Sequence, residues 1–76
     1  QTAISMKVKQ LDGKCELTLS SPKLAKDVFV RIPVQGARFT DNFFDLLPGE
    51  NKKITITSPE IKKGESLNIT VKHVYL

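Results

Sequence analysis

Apolar residues recur at every second position through most of this chain. Ile4, Met6 and Val8 alternate with polar residues, as do Cys15, Leu17 and Leu19, then Val28, Val30 and Ile32, then Ile54 and Ile56, and finally Leu67, Ile69 and Val71. A period of two marks half-buried strands, because successive side chains on an extended backbone point to opposite faces. The first two segments read as a hairpin closed by Asp12-Gly13, a dipeptide suited to a type I′ turn. That loop puts Val8 opposite Leu17 and Met6 opposite Leu19, with Lys9 facing Glu16 on the other surface, so turn chemistry and apolar pattern specify one register.

Ser20 to Lys26 reads as a connection, and Asp27 to Ile32 as a third strand ended by Pro33. Its second face carries Phe29 beside Arg31, either a lone exposed aromatic next to a cation or a contact with a neighbouring domain. Gln35-Gly36 is a turn and Ala37 to Thr40 a short strand. Leu47-Pro48-Gly49-Glu50 fits a type II turn, with proline presetting φ and glycine accepting a positive one. Asp41 and Asn42 suit the corner before it. Of the pair Phe43-Phe44 alternation buries one, and Phe44 is expected inside with Leu46 on its face. Ser58-Pro59-Glu60 is a helix-start pattern with room for a single turn before Gly64. The strand from Leu67 loosens at His73-Val74-Tyr75-Leu76, while Gln1-Thr2-Ala3 reads as the end of a linker. Six or seven short strands without helical periodicity predict an antiparallel β-sandwich occupying residues 1–76 as a single domain.

The segment of Phe39, Asp41, Asn42, Phe43, Phe44, Asp45, Leu46, Leu47, Pro48, Gly49 and Glu50 resembles the F-S-D-N-Y-F-D-L-L-P-G-E signature of the C-terminal immunoglobulin-like domain of β-mannosidases of glycoside hydrolase family 2. The likeness extends more weakly over the whole chain, and departs from the signature at Thr40, where serine is usual, and at Phe43, where tyrosine is usual. It implies an immunoglobulin-like sandwich that is non-catalytic by itself and packs against the other domains of its parent in cis. Phe39, Asp41, Asn42, Phe44, Leu46, Pro48 and Gly49 are then the structural motif, and Phe29, Arg31 and Phe43 the candidate interdomain contact. The implied parent removes terminal β-linked mannose with retention, using a barrel glutamate pair and no metal, and is expected to be exported, whether periplasmic, secreted or lysosomal. No cofactor is expected of this domain.

Size and charge agree with an accessory role. The chain has 76 residues, whereas a (β/α)₈ barrel needs about 250. The net charge is +4, but its 12 basic residues are spread along the sequence, and most of the aromatics lie in a separate segment containing Asp41 and Asp45, which argues against a nucleic-acid surface. No apolar run is long enough for a spanning helix and no targeting pattern opens the sequence, so neither membrane nor leader is expected.

Candidate chemistry is sparse. Asp41 and Asp45 could mimic the carboxylate pair of a glycosidase, which stands about 5 to 9 Å apart across the scissile bond, but a small sandwich has no cleft to bury a sugar. They read instead as a turn-capping acid and as a surface or interdomain partner. Asp41, Asn42, Asp45 and Glu50 are oxygen donors for calcium without the spacing of a known loop. Cys15, alternating with Leu17 and Leu19, reads as a buried small hydrophobe. His73 has no histidine or cysteine at ligand spacing, and Thr40 and Ser58 lack a nucleophile context. Asn68-Ile69-Thr70 is a glycosylation triplet expected inside a strand. The rival function is a carbohydrate-binding module recognising mannosides through Phe29, Phe43 and Tyr75. Absence of tryptophan counts against it, and sugar binding is not expected.

Overall fold

A computed structural model describes the backbone of residues 4–75 and the side chains of residues 4–73. Over that range the chain forms β1 (Ser5–Leu11), β2 (Lys14–Ser20), β3 (Ala25–Arg31), β4 (Arg38–Phe39), β5 (Phe44–Leu46), β6 (Lys52–Thr57) and β7 (Thr70–Tyr75). One sheet has the order β1-β2-β6-β4 and the other β5-β3-β7, every pairing antiparallel. The expected all-β sandwich is therefore the fold. Its core is the alternation read from the sequence: Leu17 and Leu19 of β2 and Ile54 and Ile56 of β6 face Val28 and Val30 of β3 and Leu46 of β5, all buried. Each such side chain contributes about 1.5–3 kcal/mol on leaving water.

The hairpin has the expected register, Val8 with Leu17, Met6 with Leu19 and Lys9 with Glu16. Its loop does not have the expected type. Type I′ needs positive φ at both central residues, and only Gly13 of the two takes one, +78°. Neighbouring chain explains the change: Gly13 N–H donates to the Ile61 carbonyl at 2.7 Å, Gly13 C=O accepts from Ser58 N–H at 3.1 Å, and the Asp12 carboxylate accepts from Lys63 N–H at 2.8 Å. The loop is shaped by the segment that docks on it.

The single helical turn expected after Ser58 is a β-turn instead. The serine does cap, its Oγ accepting from Glu60 N–H at 3.2 Å while its hydroxyl donates to the Gln35 carbonyl at 3.0 Å. The Ser58 carbonyl, however, accepts from Ile61 N–H at 3.2 Å, a bond from i+3 to i that closes a β-turn over Pro59 and Glu60 in place of a helical turn. Ile61 instead turns into the core, 1% exposed.

Two strand boundaries also differ from expectation. β3 begins earlier, at Ala25, and its pairing with both neighbours shifts register around Lys26 and Asp27. Asp27 takes φ +53° there, as the extra residue of a bulge does. The bulge lets Ala25 and Val28 both point inward despite their odd spacing. β7 starts at Thr70, not Leu67. Thr70 pairs with Arg31, so earlier residues would have to pair with Ile32 and Pro33, and proline has no N–H to offer. Leu67 and Ile69 still pack against the core, without a ladder. The short strand expected over Ala37 to Thr40 is reduced to Arg38–Phe39. Gln1-Thr2-Ala3, Leu76 and the side chain of Tyr75 lie outside the described residues.

Candidate interdomain contact surface

The signature segment crosses from one sheet to the other. Phe39 ends β4 on β6, and Phe44 begins β5 on β3. In between, side chains do what backbone does elsewhere. Thr40 N–H donates to the Thr55 carbonyl at 3.0 Å, and the Thr40 hydroxyl accepts from Thr55 N–H at 3.0 Å, adding a rung to the first sheet. This accounts for a hydroxyl residue at that position. Asn42 does the same on the second sheet: its Oδ1 accepts from Val30 N–H at 2.8 Å and its Nδ2 donates to the Val30 carbonyl at 3.1 Å. The amide stands in for one residue of an antiparallel partner.

Asp41 locks the corner from outside. Its carboxylate accepts from Asn42 N–H at 2.9 Å and pairs with Lys52 Nζ at 2.7 Å. The Lys52 hydrogen bond holds the acid below the usual carboxylate range. Lys52 also lies over the Phe44 ring, 5.2 Å from its centroid, an arrangement worth about 0.5–1 kcal/mol at an exposed site. Below the corner, Leu47-Pro48-Gly49-Glu50 is a turn as expected, with Glu50 N–H donating to the Leu47 carbonyl at 3.1 Å and Gly49 at φ +76°. Gly49 N–H ties it to the Ser21 carbonyl at 3.0 Å.

Phe43 is what this corner presents. Phe44 packs on the core with Leu46 buried beside it, while Phe43 is 71% exposed and held at φ +57°. A non-glycine residue in that region carries strain of about 1–2 kcal/mol. Its ring stacks on Phe29, centroids 5.0 Å apart and planes 19° apart. Phe29 and Arg31 share the outward face of β3, Arg31 exposed and Phe29 half-buried under Phe43. The three residues singled out as a possible contact thus fall on one face, and the Phe29 and Phe43 rings touch.

A family model for the immunoglobulin-fold domain found in mannosidases matches residues 1–75. The chain belongs to this family. No curated protein matches it. The mannosidase immunoglobulin-fold domain is an accessory module, and the remaining polar residues of its signature are used structurally here. The Asp45 carboxylate accepts from Asp27 N–H at 3.2 Å in the bulge of β3, which anchors it to its own sheet. Glu50 Oε1 receives Leu47 N–H across a long 3.5 Å. Among the described residues no group of three or more His, Cys, Asp or Glu side chains is placed to hold a metal ion.

The other sequence candidates fall apart spatially. Cys15 is fully buried and burial pushes its thiol pKa up, with Glu16 adding to the shift. Asn68 is not inside a strand: it is exposed in the irregular stretch before β7, beside a shallow depression of about 250 Å³ lined by Arg31, Ile32, Pro33, Asn68 and Thr70. No aromatic side chain lines that depression. Sequence reasoning missed Thr40, Asp27 and Lys52 as parts of the corner. The spacing of a hydroxyl and an amide on either side of an acid was the available signal.

Proposed function

We propose that this domain is the non-catalytic C-terminal module of a glycoside hydrolase family 2 β-mannosidase, and that it packs against the rest of that enzyme through Phe43, Phe29 and Arg31. The parent hydrolyses terminal, non-reducing β-mannose residues with retention. One observation carries the packing role: a large aromatic ring is held outward, at positive φ, in a corner whose Thr40, Asp41 and Asn42 side chains are all hydrogen-bonded to backbone N–H groups. Backbone strain of this kind is kept where the surroundings over-determine it and function uses it. Exposed aromatics beside an arginine are also what interface centres are made of. The family match and the signature from Phe39 to Glu50 support the parent's identity.

Phe43→Asn separates packing from folding, because asparagine tolerates the same backbone conformation. In the parent enzyme the substitution lowers the temperature of activity loss on p-nitrophenyl β-mannoside, while the isolated domain melts as before. An unchanged parent refutes the packing role, and a parent inactive on that substrate refutes the β-mannosidase assignment. Calorimetric titration of the isolated domain with manno-oligosaccharides is expected to give no saturable heat; binding at millimolar or tighter affinity would turn the reading to a sugar-binding module.

A further inference from the structure

The 12 basic residues are scattered in sequence, but one sheet gathers five of them. Residues paired across strands share a face, and Cys15, Leu17 and Leu19 of β2 point to the core. Lys14, Glu16 and Thr18 therefore point outward, together with the residues that pair with them. Lys7 and Lys53 flank Thr18, Lys9 stands opposite Glu16, and Lys14 and Arg38 flank Thr57. The outer face of β1-β2-β6-β4 thus carries five cations and, among its strand positions, only Glu16 as an acid. Glu16 is held by Lys14 at 3.6 Å, and among the described residues no carboxylate is in an ion pair with Lys7, Lys9, Lys53 or Arg38.

The relief of this face says what fits it. Its centre is short and hydroxylated while its flanks are long and cationic, the flanking strands standing two spacings, about 10 Å, apart. The result is a shallow trough, of about 280 Å³ where Lys7, Val8, Lys9, Glu16, Thr18 and Lys53 line it. None of the four phenylalanines lies there: Phe39 and Phe44 pack against the core, and Phe43 stacks on Phe29 of the other sheet. A face without rings offers no platform for bases or neutral sugars. Rich in lysine and without an apolar centre, it also lacks what a protein interface is built on. We propose that this face binds a linear anionic polysaccharide, whose carboxylate or sulfate groups meet Lys7, Lys9, Lys53 and Arg38 while its hydroxyls bond Thr18 and Thr57 between them. A lipid surface would touch the lysine tips and leave the threonines unused, whereas a chain one sugar wide descends between the flanks. Neutral mannosides are not ligands of this face, and it is separate from the surface formed by Phe43.

The test is a calorimetric titration of the chain with a heparin oligosaccharide, which carries both carboxylate and sulfate groups. Saturable binding that weakens as salt rises is expected. Lys7→Glu combined with Lys53→Glu lowers the affinity by at least about tenfold. Lys23→Glu combined with Lys72→Glu reaches the same net charge from positions off the face, in the connection after β2 and opposite Phe29 in the other sheet, and changes the affinity by less than about twofold. All four lysines are exposed, so both variants keep the fold. Glu16→Gln removes the opposing charge and tightens binding, while Phe43→Asn leaves it unchanged and so keeps this site distinct from the proposed packing surface. The proposal is overturned by the lack of saturable heat at about 1 mM oligosaccharide, by equal losses in the two double variants, or by tighter binding, at the same salt, to a DNA duplex or to phosphatidylserine vesicles.

Discussion

Replacing Asn42 by alanine tests the reading of the corner most directly. The change removes both the acceptor at 2.8 Å from Val30 N–H and the donor at 3.1 Å from Val30 C=O. Val30 belongs to the central strand of its sheet and is 1% exposed, so its freed backbone groups are poorly rehydrated. At about 0.5–1.5 kcal/mol per neutral bond, with part of the larger penalty for a buried group left unpaired, the loss is about 2–3 kcal/mol. A chain of 76 residues has only about 4–11 kcal/mol in total. With roughly 4–8 °C per kcal/mol for a domain of this size, the melting temperature falls by about 8–24 °C. Calorimetry or circular dichroism reads this directly. Asn42→Asp refines it: the carboxylate keeps the acceptor, loses the donor and sits against the Val30 carbonyl, so its ionised form is disfavoured in the folded state. Its folded-state pKa is thereby raised above the unfolded value of about 3.9, so the charge-dependent part of its deficit should shrink as pH falls through the folded value and be gone by about pH 4, where the protonated acid donates again. A melt of Asn42→Ala within about 2 °C of the parent chain would mean that the side chain does not substitute for a strand, and the account of the corner would fail.

Other outcomes follow from single contacts. Gly49→Val costs on the order of 1 kcal/mol or more, all of it backbone strain, because a Cβ there meets nothing within 4 Å; Gly49→Asn is milder, and equal melts for the two would remove the positive φ from the argument. The folded-state pKa of Asp41 is lowered, first by its hydrogen bond to Lys52, so the stability it adds is whole above the unfolded value near ~3.9 and is lost as pH falls through the lower folded one. Asp41→Asn flattens that acid limb, an effect that added salt also weakens; a limb unchanged in Asp41→Asn would contradict the pairing. Cys15, buried and with its thiol pKa raised, reacts with a thiol reagent only as fast as the domain opens. Rapid stoichiometric labelling under native conditions would place it nearer the surface than described.

Much of the sandwich was legible because its information is local. Alternation and Asp12-Gly13 sit side by side in sequence and agree on one register, and Pro48-Gly49 carries its turn in two residues. What escaped depends on neighbours far along the chain. The type of the first turn is decided by Ser58, Ile61 and Lys63, and the start of β7 by Pro33. Met6 and Val8 follow the core pattern, yet they are 37% and 45% exposed, because burial depends on what packs over a strand, which no local pattern records. Asp41 and Asn42 were readable as corner residues, since both types bond nearby backbone. That Asn42 bonds Val30, an earlier residue on another strand, was not readable, because turn chemistry describes only what a side chain does to its own surroundings. Phe43 and Phe29 were both suspected of facing outward, but their stacking required the fold.

Thr40 and Asn42 have a dynamic corollary. One grips Thr55 in the first sheet and the other grips Val30 in the second, with a single residue between them. Neither grip can loosen far without pulling on the other. The amide hydrogens of Thr55 and Val30, although on opposite halves of the molecule, are therefore expected to exchange with solvent deuterium in one shared opening event, making this corner the clasp that couples the breathing of the two layers.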